Sequence, residues 1–73
     1  MSVLEVRAEV VGTIVAVDCL TGALVEEGAP LLAIESMKME YPIVAPAAGS
    51  VAQINVSVGD VVEENQVLVL IRP

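Results

Sequence analysis

An all-β fold, two four-stranded antiparallel sheets forming a flattened barrel or sandwich, is predicted by three observations on this 73-residue chain. Fifteen valines, β-branched and stiff at the first side-chain torsion, dominate an apolar fraction of 56% that includes no Phe or Trp. Glycines punctuate the apolar runs at intervals that suit turns. The third observation is a repeat: residues 7–36 slide onto 44–73 at an offset of 37 without a gap, with eight of thirty positions identical. GTIVAV answers to GSVAQI, and GALVEEG to GDVVEEN. One β unit made twice, each half unable to bury its own face alone, is the simplest reading.

The runs between turns give strands at 3–7, 12–17, 24–26, 30–36, 39–44, 49–55, 61–62 and 67–71. VEENQVLVL competes weakly as a helix, but its VLVLI ending has no polar face and suits a buried strand. Gly22 and Gly59 fall where a turn needs a positive φ, and Gly28 pairs with Asn65, the next most tolerant residue for that conformation. A single domain over 1–73 is expected, with repeat halves at about 7–36 and 44–73 and a hairpin segment, 37–43, that has no duplicate.

Charge and composition exclude several functions. Three basic residues against ten carboxylates give a net charge of −7, which repels nucleic acid and anionic membrane surfaces. The longest uncharged stretch, Tyr41 to Gly59, is interrupted by Pro42, Pro46 and Gly49, so no membrane span is expected. The N-terminus, with Glu5, Arg7 and Glu9, is unlike a secretory signal. One cysteine, Cys19, cannot make an intrachain disulfide, which fits a cytoplasmic protein. Cys19 reads as a small strand residue rather than a reactive thiol. With no histidine there is neither the commonest general base nor the commonest metal ligand, so neither catalysis nor a metal site is expected.

Lys38, the one lysine, lies between Met37 and Met39 at the corner of the unduplicated hairpin. Two-residue hairpins favour Asn-Gly, so Met-Lys is poor turn chemistry, and a local contradiction in an otherwise consistent sequence points to function. Taken alone, a lysine in an acidic chain reads as a solvated charge. Exposed methionines on either side, which offer adaptable apolar contact, argue for a partner instead. A lysine at a tip is a weak nucleophile unless burial lowers its pKa, but its amine can be acylated by another enzyme and so become a tether.

At these residues the sequence resembles a known family. ESMKME, Glu35 to Glu40, is similar to the attachment motif of biotinyl (biotin carboxyl carrier) domains, most of all the short free-standing biotin/lipoyl attachment proteins. The resemblance extends to Gly12 and Gly49, to VSVGDVVEE at 56–64, to LLAIE before the lysine and to APAAG after it. It implies biotin joined covalently to Lys38 by a biotin protein ligase that reads Met37 and Met39, with Glu35 helping to discriminate between modifying enzymes. It also implies a non-catalytic carrier that shuttles carboxyl groups between a biotin carboxylase and a carboxyltransferase. Ser36 stands where the motif more often has alanine, and the first half lacks the counterpart of Pro46. Lipoate on the same lysine and an unmodified interaction or scaffold domain are the alternatives, although lipoyl lysines are typically flanked by aspartate and alanine.

Overall fold

A computed structural model describes residues 3–73. Eight strands follow in order: β1 (Leu4–Arg7), β2 (Gly12–Val17), β3 (Leu24–Val25), β4 (Pro30–Ser36), β5 (Met39–Val44), β6 (Gly49–Ile54), β7 (Val61–Val62) and β8 (Val67–Arg72). They form two four-stranded antiparallel sheets, ordered β1-β8-β6-β3 and β5-β4-β2-β7. The expected fold class and all eight strands are therefore present, with ends displaced by one residue at most. One expectation is corrected: Cys19 is not in a strand but in the loop after β2, where it is buried. Its repeat partner is Val56, also buried, so an apolar side chain of this size is what the position requires.

An offset of 37 carries β1 to β5, β2 to β6, β3 to β7 and β4 to β8, and so carries one whole sheet onto the other. Each sheet thus takes two strands from each half. Each half pairs its own inner strands, β2 with β4 or β6 with β8, but neither completes a four-stranded sheet without its twin. The backbone hydrogen bonds outside the ladders repeat the relation. Ala8 N donates to Gln66 O as Ala45 N does to Ala29 O, and Gly22 N donates to Val51 O as Gly59 N does to Ile14 O. Tyr41 stands opposite Ile34 as Leu4 stands opposite Ile71, so the duplication reaches past the matched 7–36 and 44–73 into the segment 37–43.

The core is built from the same pairs. Ile14 and Val51, Leu31 and Leu68, Leu32 and Val69, and Ile34 and Ile71 are all fully buried between the sheets, and among the described residues no polar side chain is buried with them. At about 1.5–3 kcal/mol for each large aliphatic side chain removed from water, these residues outweigh the weak local propensities of such short strands. Gly12 and Gly49 are required for a different reason from the turn glycines. A Cβ on Gly12 would collide with the Glu35 carbonyl oxygen and lie 2.7 Å from Ile34 Cγ2, and one on Gly49 would collide with the Arg72 carbonyl. The close approach of β2 to β4 seats the strand that carries the lysine.

Candidate functional site: the hairpin between the halves

Strand β4 is an inner strand of its sheet, held by β2 on one side and β5 on the other. Its buried residues Leu31, Leu32 and Ile34 fix it to the core. The ladder with β5 runs without interruption from Leu32↔Ile43 to Ser36↔Met39, which leaves Met37 and Lys38 alone as the two corner residues. A loop of two residues between right-twisted strands needs positive φ at both corners. Met37 has φ 53° and Lys38 has φ 65°, and apart from Asn65 these are the only non-glycine residues in that region among those described. The hairpin therefore has the geometry of an Asn-Gly turn without its chemistry.

All of this displays the amine. Met37 is 90% and Met39 61% exposed, and Lys38 is exposed between them. No carboxylate holds Lys38 in an ion pair; among the described residues the one salt bridge joins Arg7 to Glu5. Glu35 is exposed and sits directly across the ladder from Glu40, one step below the Ser36–Met39 pair. Like charges directly opposed weaken a ladder. The structure thus brings Lys38, Met37, Met39 and Glu35 together at one tip, as the sequence suggests, and adds Glu40, whose position follows only once the register of a two-residue loop is known.

Cys19 does not belong to this group. Burial pushes its thiol pKa up, the neighbouring Asp18 carboxylate pushes it further, and a backbone hydrogen bond only partly offsets them. A thiol held protonated in the core is unreactive.

Lys38 is thus an exposed, unpaired amine at a two-residue corner of positive φ, carried by a duplicated eight-stranded scaffold. The family model described as "Biotin-requiring enzyme" matches residues 2–71. This chain belongs to the biotin/lipoyl family. The "Biotinylated protein TB7.3 homolog" of Mycobacterium leprae is 40% identical over 67 residues, spanning 92% of this chain and 94% of that protein. Rice methylcrotonoyl-CoA carboxylase subunit alpha is 39% identical over 68 residues, which are 93% of this chain and 9% of that subunit. The urea carboxylase of Kluyveromyces lactis superposes with a TM-score of 0.93 at 28% identity, over 99% of this chain and 6% of that one. The biotin/lipoyl fold here thus spans nearly all of a small relative and only a small part of two large carboxylases.

Proposed function

We propose that this chain is a biotin carrier and that Lys38 is the residue that bears biotin, as an amide on Nζ. One observation carries the reading: the single lysine sits, exposed and unpaired, at a corner with φ 65° where stability alone favours glycine. Relatives named for biotin, among them the biotin carboxyl carrier protein of Streptococcus mutans at 45% identity, support the same cofactor.

Biotin bound there supplies the carboxyl-carrying chemistry that no residue of this chain provides. The chain's own residues do three things. Inner strand β4 holds the corner in place, so the ligase and later partners meet one geometry. Met37 and Met39 offer the ligase apolar surface on both sides of the amine. Glu35 and Glu40 mark the base of the hairpin with negative charge for the enzyme that modifies it. The chain is a carrier in a carboxylase system and not a catalyst, as relatives named as carriers indicate. A biotin carboxylase and a carboxyltransferase are its partners in this proposal. A cytoplasmic place of action belongs to the same proposal and is supported by the lone cysteine.

Amide formation removes one of three cations and takes the formal charge from 3 − 10 = −7 to 2 − 10 = −8. The loaded carrier then presents a more acidic surface to basic grooves. Intact-mass analysis of the protein from its own cells, followed by peptide mapping, tests the assignment. Biotin on Lys38 is the expected result; a lipoyl group there, or no modification, overturns it. Lys38→Ala should end labelling and change stability by no more than about 0.5 kcal/mol, because an exposed side chain without partners is removed and φ stays positive.

A further inference from the structure

The duplication provides an internal control for the surface loops, and the turns on either side of β3 depart from their counterparts around β7. In the second half, side chains close the turns on either side of β7: Ser57 N donates to Asp60 Oδ2 at 2.9 Å before it, and Glu63 N donates to Gln66 Oε1 at 3.0 Å after it. The first half has the same backbone turns, with Ala23 N donating to Leu20 O and Ala29 N to Glu26 O. Yet it has Leu20, Ala23 and Ala29 where the second half has Ser57, Asp60 and Gln66. Three polar positions, two of them hydrogen-bonding through their side chains, have become apolar on an unchanged backbone. Folding accounts for Ala29, which is partly buried against the core, but not for Leu20, which is 77% exposed, beside Leu24 at 86%. Leu24 answers to Val61 and Thr21 to Val58, both exposed, so the first half's unexplained departure lies in Leu20 and Ala23.

These residues line an open groove of about 430 Å³ that begins at Pro30 and carries Asp18 and Glu26 on its lining. Pro30 opens β4, so the groove and the lysine lie toward opposite ends of that strand, separated by six residue steps, about 20 Å at 3.3 Å per step. A partner seated in the groove leaves the tip uncovered at the other end of the strand.

We infer that this groove is a second docking surface, which takes an apolar segment bordered by Lys or Arg from a carboxylase partner subunit. The inference rests on the carrier reading for the partner's identity, and on the broken repeat and the groove's chemistry for the site. The apolar lining matches buried aliphatic side chains, and the two carboxylates match flanking cations. A second copy of this chain is the wrong occupant, because it brings −7 and only three basic residues to an acidic groove. Binding here adds an effective-concentration gain for the tethered cofactor without covering it.

The test gives the first half the residues of the second: Leu20→Ser, Ala23→Asp and Ala29→Gln together, made in Lys38→Ala protein, which no ligase can load. Each protein is titrated calorimetrically with the biotin carboxylase and the carboxyltransferase subunits of the same organism. The expected result is saturable, salt-sensitive binding of one subunit by Lys38→Ala protein, weakened at least tenfold by the triple change. Its Tm stays equal or rises, because two side-chain hydrogen bonds are regained. Val61→Ser, which removes an exposed apolar side chain in the other half, should leave binding within twofold. Should the triple variant fold poorly, Asp18→Asn with Glu26→Gln asks the same question through charge alone, with the salt dependence expected to fall. Unchanged binding in these variants, no binding to either subunit, or self-association in sedimentation that the triple change abolishes would overturn the inference. Absence of biotin on Lys38, read by mass, refutes the carrier assignment alone, because the titrations use unloaded protein.

Discussion

Replacing Met37-Lys38 by Asn-Gly should make this protein more stable while ending its modification. Both corner residues hold φ values, 53° and 65°, that cost an ordinary L-residue roughly 1–2 kcal/mol each. Asn tolerates the conformation and Gly adopts it freely, but Gly returns about 0.5–1 kcal/mol through the extra entropy of the unfolded chain. No packing is lost, because Met37 is almost fully exposed and Lys38 is exposed with it. The net gain is on the order of 1–2 kcal/mol, a large share of the roughly 3–5 kcal/mol a core of this size supplies. For a domain this small, each kcal/mol raises Tm by about 4–8 °C. Thermal melts followed by far-UV circular dichroism, alongside ligase labelling read by intact mass, measure both effects. A variant that melts at or below the wild-type temperature would show that the corner is not strained, and the central reason for assigning function to Lys38 would be gone.

Other substitutions probe the scaffold and the thiol. Ile34→Ala, at a position with no exposed surface on the strand leading to the corner, should cost roughly 2–5 kcal/mol in urea melts and come close to unfolding the chain. Gly12→Ala should destabilise by about 1–3 kcal/mol, because its methyl meets the Glu35 carbonyl and Ile34 Cγ2, and Gly49→Ala should do the same against Arg72. Cys19→Val, which installs the residue of the second half, should keep the fold and flatten the alkaline end of the stability profile. The folded thiol binds its proton more tightly than the unfolded one, with its ordinary pKa of 9.0. Stability is thus unaffected by this group below that pH and declines above it until the folded thiol also ionises. Melts between pH 7 and 11 show whether the decline disappears with the sulfur.

Strand positions could be read from the sequence because Val-rich runs end at glycines whose φ is positive, Gly22 at 90° and Gly59 at 97°. Lys38 could be read for the opposite reason, since its corner lacks the residues such a corner wants. Strand partnership was out of reach: alternation says which face of β1 is buried but not that it lies beside β8 and away from the rest of its own half. Cys19 misled because a buried loop residue and a buried strand residue look alike when a run such as VAVDCL continues past the last paired residue, Val17. The pairing of Glu35 with Glu40 needed the ladder register, in which paired residue numbers sum to a constant from Ala33 to the turn. The outward orientation of Leu20 and Leu24 is set by the folded backbone and has no signal in the sequence.

A duplicated fold separates what a protein needs in order to stand from what it needs in order to act. Where the two halves agree, in the paired core residues, the matched turn bonds and the glycines packed against Glu35 and Arg72, the shared feature is explained by folding alone. Departures lack that explanation. The hairpin joining the halves sets Met37 and Lys38 where Asn-Gly would be cheaper, and the loop before β3 sets Leu20 and Ala23 where Ser and Asp already work in the second half. Both departures give up stability in a fold that has little to spare. They lie toward opposite ends of β4, an inner strand that ties them into one rigid body, so a partner held at one end leaves the amine at the other in a fixed relation to it. Selection for stability alone would have erased both, and their coexistence on one strand is what a carrier that must be held and must also reach requires.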